Sequence, residues 1–176
     1  DLIRLSAASA ALLLTPEERV LHLGPLLTDK YKAVRVAAAR SLVNCRVASE
    51  HQQAFNQAFN ELLTSNELTS WRGEGRANQG LLALEQNQVT TAEQAFLGAI
   101  AVEPYFDTGY INLADLYRSQ QRNSEVASVL AKGMKSLPRS GALKYAYGLH
   151  LVRMQKHGEA LSLFKQASLL EPNSSQ

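Results

Sequence analysis

The chain has 176 residues, 45% of them hydrophobic, which is enough to form one large domain or two small ones around a sizeable core. Its 18 Lys and Arg residues nearly balance 16 Asp and Glu residues, and no basic cluster supplies the positive stripe that binding to nucleic-acid phosphates needs. No apolar run approaches the roughly 20 residues that span a bilayer, so we expect no nucleic-acid partner and no direct membrane insertion.

The first part of the chain is rich in alanine and leucine with helical apolar spacing. Ile3-Arg4 recurs 31 residues later as Val34-Arg35, and each copy is followed by a run of alanines. Pro25 lies between the copies, and because proline has no backbone N–H we expect a bent helix there. This order resembles the HEAT repeat, which implies HEAT-like pairs of antiparallel helices over residues 1–64.

Two segments of this part have the pattern of a helix start. Thr15–Glu18 combines a capping threonine, a proline at the first helical position and a glutamate three residues on. Ser49–Gln52 has a similar capping box and predicts a helix that ends near Leu63. The polar stretch Thr64–Ser70 then predicts the joint with the second part of the chain.

A 34-residue period organises the second part. It is carried by prolines and by aromatic and small residues between them: Pro104, Pro138 and Pro172; Tyr110-x2-Leu113-Ala114-x2-Tyr117; Ala92-x3-Phe96 and Ala160-x3-Phe164. These residues match the spacing of the tetratricopeptide repeat. The second part therefore resembles three tetratricopeptide repeats, at 73–106, 107–140 and 141–174.

Each repeat predicts two helices. We expect first helices near 72–86, 107–120 and 141–155, and second helices near 91–102, 124–136 and 158–170. We expect N-caps at Thr90, Asp107, Ser124 and Ser140. Small residues at Gly80, Ala114 and Gly148 allow the two helices of a pair to approach closely, and neighbouring pairs must stack to complete a core. The expected fold is all-α, a right-handed α-solenoid of HEAT-like pairs followed by three tetratricopeptide repeats.

Patterns for catalysis, metals and cofactors are absent from the sequence. The four histidines, His22, His51, His150 and His157, have no metal-ligand spacing, and no glycine-rich phosphate loop occurs. Cys45, the single cysteine, lies in an apolar pattern and predicts a small buried residue rather than a reactive thiol. We therefore expect no enzyme activity and no cofactor.

The resemblance to tetratricopeptide repeats implies a protein or peptide partner, which binds the concave groove lined by the first helix of each pair. The family uses fixed positions of the repeat for this purpose. The groove residues carried over are Asn78, Leu81, Glu85, Asn112, Asp115, Arg118, Tyr145, Leu149 and Arg153. An asparagine at the sixth position can both donate to and accept from a peptide backbone. The alternative is that Asp115 merely pairs with Arg118 or Arg153.

A structural or oligomerisation role is the second hypothesis. The last helix carries more apolar positions than one inner face requires, and Leu161, Phe164 and Leu169 form the predicted self-association face of a homodimer or of contact with the rest of a longer chain. The order of the repeats, with the segment from Tyr110 to Arg122, also looks similar to the C-terminal region of bacterial multihaem c-type cytochromes. That resemblance implies a periplasmic or membrane-associated electron-transfer setting for the full protein, without haem in this chain.

Overall fold

The structure is a computed structural model that describes residues 2–170. Over that range the chain forms ten α-helices and no strand, which confirms the predicted all-α fold. The chain divides into two compact units. The first comprises the residues up to Thr69 together with Leu82–Gln88, and the second comprises Ser70–Leu81 together with the chain from Val89 onward. Pro172, the last proline of the 34-residue period, lies outside the described residues.

Helix α3 is the centre of the first unit. The four helices are α1 (Leu2–Ala10), α2 (Pro16–Leu23), α3 (Lys32–Leu42) and α4 (Gln52–Leu68). Helix α3 contacts each of the other three. Its Ala38 and Leu42 are fully buried, together with Ala8 of α1 and Ala58 of α4. Because the core positions of three helices are occupied by alanine, the backbones can approach closely while a few leucines fill the remaining space.

The local signals of the first unit are partly confirmed. Thr15 caps α2 with a complete capping box, and at Pro25 the α-helix gives way to a 3₁₀ turn over Gly24–Thr28. The capping box predicted at Ser49 is wrong. The N–H of His51 donates to the carbonyl of Ala48 instead, which forms a 3₁₀ turn before α4 begins. Helix α4 also runs to residue 68, beyond the predicted end, because neither glycine nor proline interrupts its sequence.

The helices of the three repeats lie within two residues of their predicted bounds. They are α5 (Gly73–Glu85), α6 (Val89–Val102), α7 (Asp107–Ser119), α8 (Asn123–Ser136), α9 (Gly141–Arg153) and α10 (His157–Leu170). Consecutive helices from α6 to α10 pack on one another, and α7 also contacts α9, one pair further on. Fully buried side chains between them include Phe96, Tyr110, Leu113, Leu130 and Leu143. The second unit is therefore a stack of helix pairs.

Only one of the four N-caps predicted for these helices is confirmed. The Ser140 hydroxyl accepts from the N–H of Leu143 and caps α9. Thr90 lies inside α6, Ser124 lies inside α8, and Asp107 is the first residue of α7. The Asp107 carboxylate instead accepts a hydrogen bond from the Ser140 hydroxyl, at 2.9 Å. It therefore links the starts of two first helices, 33 residues apart.

The turn inside each helix pair has the same left-handed residue. Asn87, Gln121 and Gln155 have φ of 57°, 60° and 60°, and they are spaced by 34 residues. After each of the first helices the chain forms the two reverse hydrogen bonds of a Schellman motif. In the second repeat these run from the N–H of Arg122 to the carbonyl of Tyr117 and from the N–H of Gln121 to the carbonyl of Arg118. The reversal of the chain thus repeats with the same period as the core.

Small and large residues complement each other where the two helices of a pair cross. A Cβ added to Gly148 would meet the Phe164 ring at 2.5 Å, and one added to Gly80 would clash with Phe96. In the middle repeat the equivalent positions hold Ala114 and Leu130. Alanine is larger than the glycine of the other two repeats, and leucine is smaller than their phenylalanine. The 34-residue pattern therefore preserves the summed volume of each crossing, because cores are packed to nearly constant density.

Candidate partner-binding groove

A pocket of about 360 Å³ lies in the second unit, where α7, α8 and α9 meet. Helix α7 supplies Ile111 and Ala114, and α8 supplies Val126 and Leu130 at the floor, where both are buried. The side chains that line the pocket from α9 are Ala142, Tyr145, Ala146, Leu149, His150 and Arg153. Most of the wall is aliphatic, and alanines on both first helices provide the room between them.

The rim of the pocket is charged. Asp115 accepts from Arg118 at 2.7 and 3.1 Å, along one turn of α7. Both side chains are about half exposed, so this pair contributes only about 0–1 kcal/mol and opens at little cost. Arg153 lies at the same rim, and between residues 2 and 170 no acidic side chain forms an ion pair with it. The predicted alternative, that Asp115 pairs with Arg118 or Arg153, is therefore correct for Arg118 and not for Arg153.

His150, which is not among the nine predicted groove residues, is buried. Its exposed fraction is 4%, and its ring stacks on Tyr147 with centroids 6.0 Å apart. Burial, with the charge of Arg153, lowers the pKa of His150 below its ordinary value, so the imidazole is neutral at neutral pH. His150 therefore adds a polar but uncharged group to the pocket wall.

Five of the nine predicted groove residues line this pocket: Asp115, Arg118, Tyr145, Leu149 and Arg153. Asn78 is exposed on α5, Leu81 is half-buried there, and Asn112 is half-buried on α7; none of the three lines the pocket. Glu85 belongs to the first unit, where Arg40 donates to its carboxylate at 2.5 Å and burial raises its pKa. That carboxylate already has a cationic partner.

Sequence reasoning missed the smaller wall residues Ile111, Ala142 and Ala146, as well as His150. The first three occupy positions of the repeat that are used for the groove, but they were not among the nine residues selected. His150 lies eight residues after Ala142, on the same helical stripe as Tyr145 and Leu149. Helical periodicity along α9 would have found it, whereas fixed repeat positions did not.

The predicted self-association face divides into two environments. Leu161 and Leu169 of α10 are 54% and 82% exposed. Phe164 is half-buried, because its ring lies over Gly148 and 5.4 Å from the ring of Tyr145. Phe164 therefore completes the crossing of α9 with α10, and the two leucines are the exposed part of that face.

The part of the chain that the structure describes contains no group of three or more His, Cys, Asp or Glu side chains placed to hold a metal ion. Among the same residues, no helix is both long and apolar enough to cross a membrane.

The stacked helix pairs with a 34-residue period define an α-solenoid fold of the tetratricopeptide type. Solved structures with a similar fold include MamA, with a TM-score of 0.54, 17% sequence identity, and coverage of 90% of this chain and 95% of that chain. Another MamA structure has a TM-score of 0.53 at 17% identity, over 80% of each chain. The chain is also similar to YrrB, described as a TPR protein with an unusual peptide-binding site, with a TM-score of 0.51, 15% identity, and coverage of 97% of this chain and 86% of that chain.

Identities this low establish the fold alone. No protein-family model matches the chain, and no curated protein matches it. The HEAT-like character of residues 1–64 and the resemblance to multihaem cytochromes stay predictions, since none of these similarities bears on them.

Proposed function

We propose that the chain is a non-catalytic protein-interaction module, which holds an extended segment or a helix of a partner protein against the first helices of its second unit. The observation that carries this proposal is the pocket between α7 and α9, which combines an aliphatic floor with charged groups at its rim. Concave sites of this composition are where ligands bind, and stacked helical repeats mostly supply binding surfaces. The similarity to YrrB, whose description names a peptide-binding site, supports the same role.

Two asparagines would hold the backbone of the partner. Asn78 and Asn112 occupy the sixth position of consecutive repeats, and neither is sealed in the core. A side-chain amide donates and accepts at once, so it can satisfy both backbone groups of one peptide residue. Each such hydrogen bond contributes about 0.5–1.5 kcal/mol. Together they would supply affinity without depending on the sequence of the partner.

The test begins with selection of binders from a library of displayed peptides on the purified chain, followed by calorimetric titration of a selected peptide. Asn78→Ala combined with Asn112→Ala should weaken binding at least about 5-fold, since at least one such hydrogen bond is lost at each site, and should leave the melting temperature nearly unchanged. Asn123→Ala, at an exposed position of α8, is the matched control. If the double variant binds every selected peptide as tightly as the parent chain, the asparagines do not contribute and the proposed groove is wrong.

The exposed leucines of α10 favour a second candidate, a structural or oligomerisation module. Leu161 and Leu169 would then pack against a second copy or against another part of a longer polypeptide. Sedimentation should show a concentration-dependent dimer that Leu161→Asp with Leu169→Asp abolishes; a monomer at all concentrations contradicts the homodimer. The periplasmic multihaem setting is tested by whether the full polypeptide carries C-x-x-C-H motifs.

A further inference from the structure

The pocket between α7 and α9 has the chemistry to select its occupant. Its floor and one wall are formed by Val126, Leu130, Ile111 and Leu149. Its volume of about 360 Å³ is large enough to hold several water molecules. Water against such a wall forms few hydrogen bonds, so an apolar side chain that displaces it gains affinity.

Three alanines determine the size of the occupant. Ala114 on α7, and Ala142 and Ala146 on α9, line the pocket where longer side chains would fill it. The space that they leave suits a leucine, methionine or phenylalanine side chain better than a small one. Tyr145, 55% exposed at the edge, can pack on an inserted side chain without any change in the core.

The charge at the rim complements an acid. Asp115 and Arg118 neutralise each other, His150 is neutral, and Arg153 is left as the net charge of the wall. A carboxylate is the natural partner of a guanidinium that forms no ion pair with an acidic side chain among residues 2–170. A peptide C-terminus is a poorer candidate than an acidic side chain, because Arg153 has no asparagine beside it at the sixth position of its repeat, where Ala146 stands.

We propose, on the basis of the proposed function, that this pocket recognises an internal acidic segment of a partner protein, whose large apolar side chain enters the pocket while a neighbouring Asp or Glu pairs with Arg153. The aliphatic wall then determines most of the affinity. Arg153 determines the preference for acidic over basic segments, since an exposed ion pair adds little energy but like charges repel.

The experiment uses a library of displayed peptides with a flexible linker at each end, so that no free carboxyl terminus is presented. The enriched sequences should combine a large apolar residue with an Asp or Glu a few residues away. Replacing the apolar residue of a selected peptide by alanine should weaken binding about 10- to 150-fold. Replacing its acid by the amide should weaken binding about 2- to 5-fold at low salt.

Two pocket variants with matched controls distinguish recognition by this pocket from binding elsewhere in the groove. Ala146→Leu fills the pocket with little loss of helix propensity, and it should reduce binding at least tenfold, whereas Ala131→Leu at an exposed site of α8 should not. Arg153→Gln should remove the preference for the acidic peptide over its amide, whereas Arg139→Gln, which removes the same charge outside the pocket, should retain it.

The outcomes distinguish the role of the pocket from the role of the groove as a whole. Enrichment of basic or purely polar peptides overturns the inference, as does unchanged binding by both Ala146→Leu and Arg153→Gln. If those variants bind normally while the asparagine double variant fails to bind, the groove is confirmed and the pocket is not its selective element. If no selected peptide responds to any of these changes, the proposed function fails as well. Because Arg153 is exposed, Arg153→Gln still tests the preference for acidic peptides even if Ala146→Leu alters folding.

Discussion

The volume match between Gly80 and Phe96 allows a quantitative test of the packing. Phe96 is fully buried against α5, and a Cβ on Gly80 would lie closer to its ring than real Cβ contacts do. Overpacking costs about 1–3 kcal/mol, and this site belongs in the upper half of that range because the buried ring cannot turn outward. Alanine regains about 1 kcal/mol of helix propensity. Gly80→Ala should therefore cost about 1–2 kcal/mol.

The middle repeat suggests the compensating change, because it has Ala114 opposite Leu130. Phe96→Leu alone should cost about 1–2 kcal/mol, a fraction of the 3–5 kcal/mol typical of Phe→Ala. In the double variant, Gly80→Ala with Phe96→Leu, the new methyl group occupies space that the ring has left. The free energy of unfolding should therefore fall by only about 1 kcal/mol in total. The coupling energy is then about −1 to −3 kcal/mol.

Urea unfolding of the parent, the two single variants and the double variant, followed by circular dichroism, measures all four free energies of unfolding. Gly148→Ala is the comparison, since Phe164 is only half-buried and can yield toward solvent. It should cost less than Gly80→Ala. Additive effects of the two changes, within about 0.5 kcal/mol, would refute the reasoning from complementary volumes.

Two other predictions concern the turns and the buried histidine. Gln121→Gly and Gln155→Gly should each raise the free energy of unfolding by about 0.5–1 kcal/mol, because glycine adopts the positive φ of these positions without strain. Gln120→Gly, at the neighbouring position with negative φ, should give no such increase. Calorimetric melting measures all three effects. His150→Gln should flatten the loss of stability between pH 7 and 5. Folding lowers the pKa of His150, so as the pH falls the unfolded chain binds the proton first and the folded state becomes less stable. Equal slopes of stability against pH in the parent and the variant would contradict this.

Sequence periodicity predicted the repeats well because one constraint acts at many positions at once. The predicted helix at 107–120 and the observed Asp107–Ser119 differ by one residue, and the other five repeat helices agree to within two. Each helix pair must bury the same stripe and cross at the same small residue, so the signal accumulates over three copies. The groove residues Tyr145, Leu149 and Arg153 followed from this register, and the structure places all three at one pocket.

Individual hydrogen bonds were predicted less well. Ser49 and Asp107 are residue types that commonly cap helices, but a 3₁₀ turn replaces the first and a contact with Ser140 occupies the second. Residue type indicates what a side chain is able to do, whereas its partner depends on groups that are distant in sequence. The left-handed conformation of Gln121 and Gln155 was missed for a related reason, since glutamine, unlike the asparagine at position 87, is not a residue type that predicts positive φ.

The sequence by itself determined that this chain is all-α, where its repeat helices begin and end, and which helix of each pair supplies the candidate groove. The first two of these properties follow from local periodicity and from small residues at a constant spacing, whereas the third is what the resemblance to tetratricopeptide repeats implies. The tertiary structure alone decided that alanines on neighbouring first helices leave a pocket, that His150 is buried and neutral beside it, and that Arg118 has an acidic partner while Arg153 has none within the described range. Burial and charge pairing depend on distances between helices, and no pattern along one helix contains those distances.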